Sequence, residues 1–323
     1  MAQLPPPLIS IIMPVYNTGI FLTDAINSVL NQQPVTDCAV PSFELVVVDD
    51  HSTDSKTLEI LGDASRLDPR IHVISNQRKK GAAGARNTGI MSAIGTWIGF
   101  LDSDDIWFPN SLALRWHGIS NNKEVRWSGA KFRLLRPTIN LAGQPAFESL
   151  ENLTSNINQN TLAPNIVCLS RPVEEFGKSC MIGIMTVLIQ RTLILEKGLF
   201  NEQLQRSEDY HLWFKCAFDT DLWMIDSDVA FYRIHPGSLT HGKQPKFLFE
   251  DKMVELLLLD KIGITHKNTL LNRFDLIMQD SCYFYREKKI FNPAFTTALK
   301  WIKRRPCKLS AWKELIASGL KIG

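Results

Sequence analysis

Four apolar runs, each ending in polar residues and each followed by a helical pattern, constrain this chain more than any other feature. The runs are LISIIMP (Leu8 to Pro14), FELVVVDD (Phe43 to Asp50), RIHVIS (Arg70 to Ser75) and TWIGFLD (Thr96 to Asp102). Between them, GIFLTDAINSVLNQ carries Ile20/Phe21, Ala25/Ile26 and Val29/Leu30 at helical spacing. TDSKTLEIL opens a helix with Thr53 or Asp54 as its cap, GARNTGIMSAIG reads as a short helix closed by glycine, and PNSLALRWHGI starts with proline near its first turn. Strand and helix alternating this regularly predict βαβ units and a mostly parallel sheet with buried strands.

The pattern is weaker after Ser120. Residues 138–177 are polar and read as loops. MIGIMTVLIQ (Met181 to Gln190) predicts a strand, EDYHLWFKCAF (Glu208 to Phe218) a helix, and LWMIDSDVAFYRIH (Leu222 to His235) two short strands. From Lys243 the pattern is helical throughout. A chain of 323 residues suits one large α/β domain with an extension, or two domains. Net charge of +3 gives no reason to expect nucleic acid. The six cysteines form no CxxC pair, which fits reduced thiols used as small apolar residues. No membrane span or secretion signal is legible, so a cytoplasmic location is expected.

Chemistry is expected beyond the carboxyl ends of the strands, where open α/β sheets bind ligands. Asn17, Asp49, Asp50 and the knot Asp102–Asp105 therefore share one edge. The first turn lacks GxGxxG, so a dinucleotide reading is weak. In a strand frame Asp102 and Asp104 point the same way, about 6.6 Å apart, a gap that fits a divalent ion and a diphosphate. The bland reading of DSDD is a solvated turn.

SIIMPVYN, VVVDDHSTD, GAAGARNTGI, GTWIGFLDSDD and SEDYHLWFK…YRIHPGSLTH occur in this order. Together they resemble the inverting family 2 glycosyltransferases, over roughly residues 8 to 241. The resemblance implies the nucleotide-sugar-binding GT-A fold: a mixed, mostly parallel α/β sheet over 1–241, with a donor half at 1–118, an acceptor half at 119–241, and a helical extension at 242–323. It also implies roles. Pro14, Tyr16, Asn17 and Asp50 bind the donor, Asp50 reading the base, usually uracil. Arg86 and Asn87 lie near the nucleotide, with Gly81 and Gly84 letting backbone approach it. Arg86 could equally steady a neighbouring carboxylate. Asp104 is the metal ligand, for Mn²⁺ or Mg²⁺, and Asp102 its partner at the ribose or metal. Asp105 reads as a cap for the following helix. Asp209 is the general base, against the alternative of a plain helix-terminal acid such as Glu208. Arg233 neutralises phosphate charge. His235 completes the metal site or touches the diphosphate, or else is a structural histidine. Trp107, Trp116 and Trp127 read as core.

The expected activity is transfer of a sugar from a nucleotide-sugar, a UDP-sugar first among them, to a hydroxyl of a glycan or lipid-linked acceptor in surface polysaccharide synthesis. A nucleotidyltransferase and a degenerate nucleotide- or glycan-binding module are the rivals. Lys300 to Lys313 is strongly basic and carries Trp301 and Trp312, with Pro306 dividing it into two helices. Such a tail suits peripheral contact with the inner membrane face, a cap on the catalytic domain, or a homodimer contact.

Overall fold

The computed structural model describes residues 7–120, 122–139, 145–155, 157, 164–235 and 245–322. The chain forms two compact units. One comprises Met1–Pro172 and Cys180–Ser238, the other Val173–Ser179 and Leu239–Gly323.

The first unit is built on the predicted alternation: β1 (Ile9–Val15), α1 (Phe21–Leu30), β2 (Phe43–Asp49), α2 (Ser55–Leu67), β3 (Ile71–Ser75), α3 (Ala82–Ser92), β4 (Trp97–Phe100), β5 (Ile106–Trp107) and α4 (Ser111–Ser120). β6 (Trp127–Leu135), the hairpin β7 (Thr138–Ile139) and β8 (Pro145–Ala146), α5 (Leu150–Ser155) and β9 (Ile166–Leu169) follow. After α6 (Val173–Lys178) come β10 (Leu188–Gln190), α7 (Arg191–Glu196), α8 (Glu208–Ala217) and β11 (Leu222–Arg233).

Among the described residues the main sheet runs β3-β2-β1-β4-β10-β6-β11-β5, with β9 beside β11. β1 to β4 pair parallel, as do β6 and β11, while β10, β5 and β9 run antiparallel to their neighbours. Antiparallel β10 thus joins the first four strands to the rest. The apolar runs became strands because both faces are covered: Ile9, Ile11, Ile12, Met13, Leu45 and Val47 are all buried. Helix α3 is buried from Ala83 to Ile90, which its small residues permit. A Cβ at Gly89 would stand 2.5 Å from Ile12 Cγ2 and 3.1 Å from Val48 Cγ2.

Several expectations need correction. Residues 138–177 are not all loop, since β9 joins the main sheet along Leu222–Ile225, the first third of β11. The strand expected over Met181–Gln190 is only Leu188–Gln190, because Ile184–Thr186 coils as a 3₁₀ turn. The two strands expected over 222–235 are one strand, with register shifts between Ile225 and Asp228 and between Asp228 and Phe231. β6 carried no recognised pattern: its first four residues are buried and its later ones mostly exposed. Helix α3 ends at Ala93 in extended backbone, before Gly95.

The second unit holds α6, α9 (Glu250–Leu259), α10 (Lys261–Thr265), α11 (Lys267–Glu287), α12 (Phe291–Arg304) and α13 (Leu309–Gly319), with Pro306 between the last two. Leu257, Leu270, Phe274, Ile277, Met278 and Trp301 are buried in it. Asp275 is buried and accepts from Trp301 Nε1 at 2.7 Å, Arg305 at 3.1 Å and Lys308 at 2.9 Å. No helix among the described residues is long and apolar enough to cross a membrane.

Gly89 sets the distance between α3 and the sheet, and the methyls facing it are β-branched and stiff. We expect Gly89→Val to lower stability by about 1–3 kcal/mol through overpacking. An unchanged urea midpoint would show that the helix can move away at no cost.

Candidate active site

The loops after β1, β2, β3 and β4 meet at one edge. Asn17 has a left-handed backbone (φ 48°) and staples two of them. Its Oδ1 accepts from the backbone N–H of Thr53 at 2.7 Å and of Asp54 at 3.1 Å, and its Nδ2 donates to Thr53 Oγ1 at 3.2 Å. Asn17 therefore shapes the rim with its own amide. Tyr16 is exposed beside it, with Lys80 Nζ 4.0 Å from its ring centre, and Pro14 is partly buried in β1. Asp54, not Thr53, caps α2, accepting from Thr57 N–H at 2.9 Å.

Asp50 is buried and aimed by two donors, Asn76 Nδ2 at 2.6 Å and the Gly81 N–H at 2.8 Å. Asn76 is fixed in turn by the Thr88 hydroxyl at 2.7 Å. A carboxylate has about four lone-pair positions, so Asp50 keeps capacity for a further donor. Asn76 was not singled out from sequence; an asparagine one residue past an expected strand was the available signal. Gly81 has φ 128°, and a Cβ at Gly84 would lie 1.9 Å from the Lys79 carbonyl oxygen. Gly84 thus admits its own loop rather than a ligand. Asn87 is likewise internal, bonding Phe200 and Glu202.

The acidic knot is a turn, not a strand. β4 ends at Phe100, and Asp105 N–H donates to the Asp102 carbonyl at 3.0 Å, so the strand-frame spacing does not apply. Its acids have separate partners. Asp102 Oδ1 accepts from Arg86 Nη2 at 2.6 Å. Asp104 Oδ2 lies 2.8 Å from His235 Nε2. Asp105 does not cap a helix: it is buried and accepts from the Arg233 backbone N–H at 2.8 Å. Burial pushes the Asp105 carboxyl well above its ordinary range, with repulsion from Asp104 and Asp102 adding to it.

Arg86 holds the centre. Its side chain is buried, and Nη1 donates to Glu208 Oε1 at 2.5 Å while Nη2 serves Asp102. Burial alone pulls the guanidinium pKa down; Asp102 and Glu208 more than reverse it. Burial raises the Glu208 carboxyl, which Arg86 opposes and Asp209 reinforces. Of its two sequence readings, the structure shows the one that steadies carboxylates, since Nη1 donates to Glu208 and Nη2 to Asp102. Glu208 is not the plain helix-terminal acid that sequence suggested. Asp209, next to it, is partly exposed in the first turn of α8. It acts electrostatically on Arg86, Asp102 and Glu208. Ser207, just before α8, is buried with φ 61°. Such strain in a non-glycine residue costs about 1 kcal/mol or more and persists where its surroundings hold it.

Arg233 departs from expectation. Its guanidinium is sealed from solvent, reaches Asp24 at 2.9 Å, and stacks over Phe21 at 4.4 Å and Phe147 at 5.2 Å. A buried cation needs a counter-charge, and Asp24 supplies it in place of a phosphate. Trp107 and Trp127 are fully buried, as expected, and Trp116 packs edge-on to Trp97. His211 is buried on α8, and His241 lies outside the described residues.

Among the described residues no three His, Cys, Asp or Glu side chains are arranged to hold a metal. The pair Asp104–His235 still fits an octahedral divalent ion that takes its remaining ligands from a diphosphate and water.

The model of glycosyl transferase family 2 matches residues 10–125. Two Escherichia coli proteins are similar, WfgD and WfaP, each described as a UDP-Glc:alpha-D-GlcNAc-diphosphoundecaprenol beta-1,3-glucosyltransferase. WfgD is 32% identical over 239 residues, covering 73% of this chain and 81% of WfgD. WfaP is 28% identical over 294 residues, covering 87% of this chain and 98% of WfaP. In fold, the chain is similar to S. aureus TarS 1-349 in complex with UDP-GlcNAc, with TM-score 0.63 and 20% identity, over 96% of this chain and 88% of TarS 1-349.

Removing Arg86 leaves Asp102 and Glu208 facing each other without a cation. Arg86→Met is expected to cost about 3–5 kcal/mol in chemical denaturation, and Arg86→Lys clearly less. Equal stability of Arg86→Met and wild type would mean that water already solvates these acids.

Proposed function

The chain belongs to glycosyl transferase family 2, and on that premise we propose that it moves a hexose from a UDP-sugar to a hydroxyl of a diphosphoundecaprenyl-linked acceptor, with inversion. One observation carries this reading: Arg86 ties Asp102, in the acidic turn, to Glu208, the neighbour of Asp209. Donor-side and base-side carboxylates thereby belong to one network. The names of WfgD and WfaP support UDP-glucose as the first donor to test. Of the rivals weighed from sequence, a nucleotidyltransferase has no use for a base in the second half, and the family is one of glycosyltransferases.

Asp50 accepts from the base N–H, using the capacity that Asn76 and Gly81 leave. Asp104 and His235 would hold a Mn²⁺ or Mg²⁺ ion, which would supply positive charge against the diphosphate leaving group. The acceptor hydroxyl attacks the anomeric carbon, and Asp209 takes its proton. The bond from that carbon to the diphosphate oxygen breaks, and UDP departs with the electron pair. A single displacement at one carbon inverts its configuration.

The deciding experiment incubates the chain with UDP-glucose, a divalent ion and a GlcNAc-diphospho-lipid, and looks for a disaccharide-lipid. If no UDP-hexose is bound or turned over with Mn²⁺ or Mg²⁺, the reading fails. Asp209→Asn should lower turnover by roughly 10²-fold or more while donor affinity holds; near-native turnover removes Asp209 from the reaction. Asp104→Ala and His235→Ala should each abolish the dependence of UDP-sugar binding on the divalent ion. An unaltered dependence in either would take that residue out of the metal site.

A further inference from the structure

Helix α13 is turned inside out relative to an ordinary surface helix. Its buried side holds Ala311 and Ser318. Its outer side carries Leu309 (77% exposed), Trp312 (45%) and Ile316 (58%), with Leu320 (67%) just past its end. The intervals of three, four and four residues put these four side chains on one stripe. A helix packed only for solubility places such residues inward.

The surrounding charge says what the stripe faces. From Lys288 to Ile322 the chain has nine lysines and arginines and one acid, Glu314. That acid is occupied by Arg286, at 3.0 Å. Arg305 and Lys308 are bound to Asp275, and Lys300 to Asp251 and Glu255. Lys303, Arg304, Lys313 and Lys321 make no ion pair among the described residues and are exposed. Lys313 stands within the apolar stripe itself, one residue past Trp312. A second copy of this chain would bring the same uncompensated positive charge to the contact, which like-charge repulsion opposes. An anionic bilayer satisfies both features, taking Trp and aliphatic side chains into its interface and Lys and Arg against its headgroups.

We propose that the outer face of α13, with the lysines and arginine around it, docks the protein on an anionic lipid bilayer. This rests on the reading above in one respect: a diphosphoundecaprenyl acceptor lies in a membrane, so its enzyme must work at one. The docking face lies wholly within the C-terminal helical unit and uses none of the residues assigned to donor, metal or base.

The test uses the full chain without donor or acceptor, so it does not depend on the activity. Flotation is measured with vesicles of phosphatidylcholine alone and of phosphatidylcholine with phosphatidylglycerol, at low and high salt. Wild type should float with the phosphatidylglycerol vesicles at low salt, lose most of that binding at high salt, and stay unbound to phosphatidylcholine alone. Trp312→Ser/Ile316→Ser should reduce the floated fraction about tenfold or more, and Lys303→Gln/Arg304→Gln/Lys313→Gln should do so at low salt. All these positions are exposed, and unchanged unfolding midpoints will verify that the variants fold. Binding that is absent in wild type, or untouched in both variants, overturns the proposal. So does light scattering that finds a wild-type dimer made monomeric by Trp312→Ser/Ile316→Ser. Transfer to a short-chain, water-soluble GlcNAc-diphosphate should be equal in wild type and both variants. If that transfer is absent while flotation behaves as expected, the acceptor assignment fails and the docking face stands.

Discussion

A guanidinium buried in the first unit fixes the chemistry of its surroundings. Taking an arginine out of water costs several kcal/mol, and only close carboxylates in good geometry recover that cost. Arg86 has two, from distant parts of the chain. Once they are committed, Asp102 and Glu208 are tied to one guanidinium, and Asp209 sits beside Glu208 in the first turn of α8. The surplus of negative charge that remains favours a cation at this edge.

The fold was largely legible because β1, β2 and β4 are buried on both faces and read as plain apolar runs. β1 to β4 and the helices between them lie where periodicity and capping chemistry put them, down to Asp54 as the cap of α2. Legibility failed where burial is one-sided or shared. β6 is buried at its start and exposed further on, β9 is four residues that pair only with part of β11, and β11 carries two register shifts. None of these has a clean period of two.

The candidate site was legible as a set of residues but not as a set of partners. Asp50, Asp104, Asp209 and His235 stand out by residue type and motif. Which acid meets which cation is decided by contacts across more than a hundred residues, as in Arg86 with Glu208 or Asp104 with His235. Arg86 and Arg233 look alike from sequence, each a basic residue in a ligand-binding motif. In the structure both are internal struts, one between two acids and one between Asp24 and two aromatic rings. Asn76, which aims Asp50, was marked only by its place one residue past β3.

The order of strands sets a limit on how the chain can be cut. β4 is covered on one side by β1, early in the sequence, and on the other by β10, which arrives only at Leu188. A fragment stopping near residue 118 would keep every predicted βαβ unit and still present Trp97 to Phe100 as an apolar, unpaired sheet edge. Such edges recruit other chains. The stretch up to residue 118 is therefore complete as a pattern but unfinished as an object, and an excised version would aggregate for want of three residues seventy positions downstream.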